Sequence, residues 1–438
     1  AASNSAPTDI SLNRSLDYGA LYPWELGNLY TLDSDQTDGF VYTIAEIAGS
    51  NYDAFIITYD QTATGKQVAR LSFKEKPDLD ASYTYKVTIV STDKYGKQIS
   101  KEFEILYLTN GDDEKTLSSS PDLVIGSDGD DKIIGTKDTD YISGGDGNDH
   151  IIGGGGGVWQ TYRHADYIDG GNGDDIIDAS SASDNGWGAS ILPGLGNNTI
   201  LGSEDLWSAL DGIDLNYWNV GDVGGITLTV GENGSGTVVS GDGQINDTFT
   251  FAHHFIGTIG DDVFYGSDTS NEPDRKEFYL AFKGNDEIHG GGGHDVINFD
   301  LAAWHDGIEV DFAKGTATTV KAFTGIEDVR GSPGDDVITA AGYELDVFVR
   351  GRDGNDTITG GAGNDTIYGD AGDDILTGGA GNDTLEGGTG DDTLNGDAGD
   401  DTINAGSGDD IIIGGDGADS YIYPVSYTHL TLPTTPYV

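Results

Sequence analysis

Between residues 351 and 422 an aspartate recurs every nine residues: Asp356, Asp365, Asp374, Asp383, Asp392, Asp401, Asp410 and Asp419. Two places after each stands Ile, Leu or, in the last unit, Tyr421. Carboxylates repeated at fixed spacing are chemistry for a cation. The same stretch holds 17 acidic residues against one arginine, Arg352, so the chain supplies almost no countercharge of its own. Two bare carboxylates about 4 Å apart repel by about 4 kcal/mol at an effective dielectric near 20. A hard cation with six to eight oxygen ligands suits carboxylates and glycine-exposed carbonyls, and calcium fits such flexible geometry better than magnesium. Cysteine is absent from the chain and histidine from these positions, which disfavours zinc.

The elements that must place those carboxylates follow from the period. Three residues around each apolar position, such as Thr366-Ile367-Tyr368, predict a very short strand with one side chain inward. The six residues before them turn the chain, and their glycines permit positive φ and close backbone approach. Two nonapeptides make one 18-residue coil, so each unit stacks on the unit after next. Asp374 is then expected beside Asp356 and Asp392, about 4.8 Å away. Six turn-to-turn sites follow, from Asp356 with Asp374 and Asp365 with Asp383 to Asp401 with Asp419. The fifth-position acids Asp373, Asp391, Asp400 and Asp409 either add charge to these sites or stay solvated, and the second is the reading preferred.

A second run starts at Gly126, with Asp131, Asp140 and Asp149 in register. GGGGVWQTYRH interrupts it, and it resumes at Asp166 and Asp175. Isolated units recur at GTIGDDVFY (257–265, Asp262), AFKGNDEIH (281–289, Asp286), GGGGHDVIN (290–298, Asp295) and GSPGDDVIT (331–339, Asp336). All seventeen sixth-position aspartates are expected metal ligands.

Over about 126–422 the chain resembles RTX proteins, which carry hemolysin-type calcium-binding repeats. Stretches such as GITLTVGENGSGTVV and IEVDFAKGTATTVKAFTGIEDVRGSPGDDVIT look like the strand-rich spacers found between RTX blocks. The resemblance implies repeats that are disordered at low calcium, leave through type I secretion machinery and fold on meeting extracellular calcium. It therefore implies a secreted or extracellular protein, with the cell surface as one location. The charge argument independently supports calcium-coupled folding through several ions.

Residues 1–110 differ, carrying 9 of the 21 Lys+Arg. FVYTIAEI (40–47), DAFIITYD (53–60), QVARLSF (67–73), SYTYKVTIV (82–90) and ISKEFEILYL (99–108) alternate as short antiparallel strands. APTDI at 6–10, DSD at 33–35 and SYTYKVTIVSTDKYG at 82–96 resemble a cadherin-like bacterial domain. The chain departs from that pattern after Leu79-Asp80, where Ala81-Ser82 replaces the usual glutamate. The expected class is all-β: an N-terminal β-sandwich, then a parallel β-roll (an RTX β-helix) with strand-rich spacers. The boundaries read as 1–110 sandwich, 111–125 linker and 126–178 first roll block. There follow 179–256 irregular spacer, 257–350 degenerate units and spacer, 351–424 second roll block and 425–438 non-native tail.

Composition excludes other classes. A net charge of −55 argues against nucleic acid, which is bound by neutralising phosphates, and against anionic membranes. No run of 18 apolar residues predicts a membrane span. The start at Ala1 lacks the regions of a signal peptide, and the absence of methionine reads as a fragment or a trimmed form. No HExxH, GxSxG or P-loop occurs, so no catalytic residue is named. DSDQTDGFVYTI (33–44) resembles an EF-hand loop, but its glycine sits one place late and Ile44 replaces the terminal Glu. His253 and His254 read as plain strand residues, and His289 and His294 as exposed. Trp187, Trp207 and Trp218 are expected to cover a roll end or fill a local core, with stacking on a carbohydrate ligand as the alternative. VSYTHLTLPTTPYV (425–438) resembles translated vector and is set aside from the fold. The functional expectation is calcium binding by an adhesin or an extracellular surface or matrix segment. Its competitor is the calcium-dependent tail of a type I-secreted hydrolase or toxin.

Overall fold

A computed structural model describes residues 9–13, 25–32, 40–46, 51–61, 67–75, 77, 82–118, 123–154, 166–180, 189–202, 213–221, 223–231, 234–268, 276–280, 283–299 and 307–422. Among these the chain is all-β, with a single 3-10 turn at Tyr52–Ala54 and no α-helix. It divides into two units, Ala1–Val223 with Asn233–His253, and Gly224–Glu232 with His254–Val438.

The first unit opens with antiparallel structure. Asp9–Asn13, Glu25–Leu32, Gln67–Phe73 and Phe55–Gln61 lie side by side in that order. Val41–Ile44, Tyr83–Thr92 and Gln98–Tyr107 form a second antiparallel ladder. Alternation explains the pairing, since every second residue turns inward: Phe55, Leu71, Phe73, Val87, Ile89, Phe103 and Ile105 share one core. The strand Gln98–Tyr107 also has a second, parallel partner, with Ile105 opposite Leu123 and Tyr107 opposite Ile125. A coiled parallel stack begins there. In the stretch 111–125, expected as linker, Glu114–Thr116 and Leu123–Asp128 are strands, paired with Lys132–Ile134 and Tyr141–Asp146.

Two parallel ladders build the rest of this unit. One stacks Lys132–Ile134, His150–Ile152, Ile176–Asp178, Thr199–Leu201 and Asn246–Phe249. The other stacks Tyr141–Asp146, Tyr167–Asn172, Ser190–Leu192 and Ile213–Asn216. Each rung sends one side chain inward: Ile133, Ile151, Ile177 and Ile200 face Ile142, Ile168, Ile191 and Leu215, all buried. The segment 179–256, expected to be irregular, thus supplies regular rungs. Its rungs are joined by insertions of variable length, so the pairing leaves the nine-residue period behind.

The second unit repeats the scheme. Phe278–Leu280, Val296–Asn298, Asp328–Arg330, Phe348–Asp353, Thr366–Ala371, Thr384–Thr389, Thr402–Ser407 and Ser420–Ile422 stack in parallel. Opposite run Val337–Thr339, Thr357–Thr359, Ile375–Ala380, Thr393–Ala398 and Ile411–Asp416. Thr357 pairs with Ile375 and Thr366 with Thr384, the 18-residue coil expected from the period. Glu309–Asp311, Thr316–Ala317 and Val320–Thr324 form an antiparallel meander within the stack. The core is a double file of single aliphatics, among them Ile358, Leu376 and Leu394 against Ile367, Leu385 and Ile403, each with 0% exposure. Each contributes about 2 kcal/mol of burial, and aromatics such as Phe264 and Tyr279 take the inward places in earlier rungs.

The EF-hand-like segment falls largely outside the described residues, and its end, Val41–Ile44, is a strand. Trp187, Trp207, the GGGGVWQTYRH interruption beyond Gly154 and the tail 425–438 also lie outside them.

Candidate metal centre

Each sixth-position aspartate stands where the turn meets the strand, so its carboxylate points back under the turn. Sixteen of the seventeen expected ligands are buried at 5% exposure or less; the exception is Asp419 in the last described coil, which is half-buried. They form ladders. The Asp356 amide donates to Asp374 Oδ1 at 2.8 Å, that of Asp374 to Asp392 at 2.9 Å and that of Asp392 to Asp410 at 2.9 Å. The other file runs Asp365 to Asp383, Asp383 to Asp401 and Asp401 to Asp419 at 2.8, 2.8 and 3.2 Å. Asp131, Asp149 and Asp175 repeat the pattern in the first unit, as do Asp140 and Asp166. The structure therefore brings together the successive-coil partners that the period implied.

One oxygen of each carboxylate is consumed by this ladder, and the other is frequently not. Oδ2 of Asp131, Asp149, Asp175, Asp286, Asp295, Asp356, Asp374, Asp383, Asp392, Asp401 and Asp410 is buried without a hydrogen-bond partner. An ionised oxygen in that position is costly unless a proton or a cation meets it. The first glycine of each unit makes the space. A Cβ on Gly369 would overlap Asp374 Oδ2 and lie 2.7 Å from the carbonyl oxygen of Gly387. Glycine is required again at Gly372, where φ is +140° and a Cβ would overlap the Gly354 carbonyl oxygen.

Burial, opposed by the backbone hydrogen bond and reinforced by neighbouring carboxylates, raises these acids. Asp356 is pushed up to about 8, Asp374 to about 7 and Asp392 to about 6. Asp131 and Asp175 reach about 8, and Asp295 about 9. At neutral pH the free column is thus caught between charging and holding a proton. No group of three or more His, Cys, Asp or Glu side chains converges among the described residues. A cation here would draw on carboxylate oxygens and glycine carbonyls together. That all-oxygen donor set, with orphaned oxygens beside carbonyls, fits calcium and offers zinc no nitrogen or sulfur.

Four expected ligands differ. Asp140, Asp262, Asp336 and Asp365 have Oδ2 engaged by the amides of Thr136, Thr258, Ser332 and Gly361 at 2.5, 2.7, 2.8 and 2.6 Å. The fifth-position acids are exposed, as expected, yet each is tied down. The Asp391 amide donates to Asp373 Oδ1 and that of Asp409 to Asp391 Oδ1, both at 2.8 Å. This outer ladder runs opposite to the inner one, from each coil back to the one before.

Sequence reasoning missed several members of the file. Asp175 donates to Asn198 Oδ1 at 2.9 Å and Asn198 to Asp247 Oδ1 at 2.7 Å, while Asp247 Oδ2 accepts from Tyr217 at 2.8 Å. Glu277 donates its amide to Asp295 Oδ1, and Asp295 to Glu327 Oε2. The triads Asn198-Thr199-Ile200 and Asp247-Thr248-Phe249 match Asp356-Thr357-Ile358, a signal readable without the glycines. His294, expected to be exposed, is half-buried with Nε2 3.8 Å from Asp328 Oδ2, because Asp328 and Lys276 pack beside it. His289 stacks on Tyr265 at 5.0 Å and is half-buried. His253 and His254 lie in the strand Ala252–Ile256. Trp218 is half-buried in the turn after Ile213–Asn216.

Residues 125–157, 164–188, 283–301, 350–385 and 386–421 match the family model of the RTX calcium-binding nonapeptide repeat (4 copies). No curated protein matches the chain. The matched stretches carry calcium-binding repeats, and the parallel solenoid they form agrees with the β-roll expected of them. No described helix is long and apolar enough to cross a membrane.

Proposed function

We propose that the chain binds several calcium ions along its aspartate files and that this binding drives the roll to fold. The observation that carries the reading is the row of buried Oδ2 atoms without partners. Bound cations supply the positive charge that these carboxylates lack. The chain's own parts do the rest. Oδ1 holds register by accepting the amide of the preceding coil, the first glycine leaves room beside Oδ2, and the aliphatic file closes behind. Because ligand oxygens converge only when coils stack, binding free energy is folding free energy.

The sixth-position aspartates with orphaned oxygens are the ligands we assign. The protein acts outside the cell as an adhesin or a surface or matrix segment, reached through type I secretion, with 1–110 as a cadherin-like module and the roll as a calcium-set spacer. No catalytic role is assigned. Far-UV circular dichroism of the isolated segment 351–422 tests the core of this reading. The segment is expected to be disordered in EDTA at pH 7.5 and β-rich in calcium; unchanged spectra up to several millimolar calcium would defeat it.

A further inference from the structure

The described turns of this protein occur in two backbone states, told apart by the φ of the second residue and by where its amide points. In the commoner, open turn the second residue has positive φ: Arg352 +92°, Asp370 +76°, Gly379 +111°, Asp397 +69° and Ser127 +89°. The fourth residue is left-handed too, as at Gly354, Gly372, Gly381 and Gly399. Every one of these turns leaves the Oδ2 of its sixth-position aspartate, from Asp131 to Asp401, without a partner.

The closed turn has neither left-handed residue. Among the described residues, Thr136, Thr258 and Ser332, second in their units, are absent from the positive-φ set, as are Asp138, Gly260 and Gly334 in fourth place. The second residue's amide now points inward. Thr258 donates N–H to Asp262 Oδ2 at 2.7 Å and its hydroxyl to Oδ1 at 2.8 Å. Ser332 does the same to Asp336 at 2.8 and 2.7 Å. Thr136 donates both groups to Asp140 Oδ2, at 2.5 and 3.0 Å. The hydroxyl also accepts the fourth residue's amide, from Asp138 at 3.1 Å, Gly260 at 3.0 Å and Gly334 at 3.2 Å. That last bond turns the fourth residue inward as well. Before the repeats, Thr109 and Asp113 make the same latch at 2.8 and 2.6 Å.

We infer that Thr136, Thr258 and Ser332 decide which turns take a cation, closing three of them so that Asp140, Asp262 and Asp336 are held by the chain's own donors and bind no metal. This inference rests on the calcium reading above. A carboxylate has about four lone-pair positions. Asp262 accepts from Thr258 twice and from the Ile226 amide at 2.7 Å, and Asp336 from Ser332 twice and from the Ile308 amide at 2.9 Å. Three donors offset part of the cost of burying the charge, and these carboxylates retain no orphaned oxygen to offer. A second-place Thr or Ser whose hydroxyl turns inward thus replaces an ion, whereas Ser127, left-handed with its hydroxyl on Asn110 Oδ1, leaves its turn open. Gly361 closes its turn on Asp365 by the amide alone, without the hydroxyl, so it is left out of the assignment.

The test is the number of calcium ions bound by the full chain, measured by equilibrium dialysis at saturating calcium, with folding checked by circular dichroism. The double variant Asp262→Asn/Asp336→Asn is expected to bind as many ions as the unsubstituted chain. Asp374→Asn/Asp392→Asn is expected to lose at least one. Equal losses in both variants would overturn this inference alone, whereas a chain that binds no calcium at all would overturn the reading beneath it. Should the Asp262→Asn/Asp336→Asn chain fail to fold, long-wavelength anomalous diffraction from calcium-loaded crystals decides instead. Calcium peaks along the open turns only would support the assignment. A peak within about 2.6 Å of an Asp140, Asp262 or Asp336 oxygen would overturn it.

Discussion

Replacing Asp374 by asparagine separates two jobs that its carboxylate combines. The asparagine Oδ1 still accepts the Asp356 amide, now at 2.8 Å, so the coil register survives. The orphaned Oδ2 becomes a neutral NH2, and the charge goes. Burial, with Asp392, Asp370 and Asp373 nearby, raises this acid from 3.8 to about 7. At 1.36 kcal/mol per pH unit, ionising it in place costs up to about 4 kcal/mol. Water reaches the rim of so narrow a coil, and such screening reduces the figure to about 2 kcal/mol. Without calcium at pH 8, Asp374→Asn is therefore expected to stabilise the roll by about 2 kcal/mol. At pH 5 the folded acid carries its proton and the advantage shrinks to about a third, vanishing only below about pH 4, where the unfolded acid is protonated too. In saturating calcium the sign reverses, because a ligand is lost. The assay is urea unfolding of segment 351–422 followed by circular dichroism, with enough osmolyte in the EDTA samples to populate the fold. Destabilisation of equal size in EDTA and in calcium at pH 8 would refute the reasoning, since Asp374 would then be a structural acceptor and nothing more.

Two further outcomes follow. In EDTA the wild-type roll should gain stability as pH falls: the folded acids at about 6 to 8 bind protons that the unfolded acids, near 3.8, do not. Stability rises progressively from about pH 8 to about pH 4, so calcium-free β-structure should appear on mild acidification; an unchanged or falling dichroism signal would count against it. Gly372→Ala should prevent coil closure at a cost of several kcal/mol, because its Cβ would overlap the Gly354 carbonyl oxygen at φ +140°. Gly96→Ala, left-handed at +84° but with nothing within 4 Å, should cost only about 1 kcal/mol. Melting temperatures of the two variants make the comparison.

Much of the coil was legible because it is periodic. Asp356 to Asp419 and the inward Ile358, Ile367 and Leu376 follow a single ruler, and the stacking of unit on next-but-one unit comes directly from it. What the ruler cannot reach is pairing across insertions. Asp149 bonds to Asp175 at a separation of 26 residues, and Asn198 to Asp247 at 49, yet both continue one file. Glu114–Thr116 looked like linker because nothing in three polar residues announces a strand; its partner Lys132–Ile134 does that. The closed turns were equally hidden. Thr258 and Ser332 occupy a variable place in the motif, and only the backbone angle shows that their hydroxyls turn inward. His294 read as exposed because the residues that shelter it, Lys276 and Asp328, lie on other strands.

The double allegiance of Ile105–Tyr107, antiparallel to Tyr83–Tyr85 on one edge and parallel to Leu123–Ile125 on the other, has a kinetic corollary. A solenoid growing from nothing must pay the entropy of its initial rung before any neighbour rewards it. Here that rung already belongs to an antiparallel sheet with a core of its own. Coiling can then proceed as elongation from a primer, each incoming loop docking on a finished edge, so that zippering has an origin and a direction.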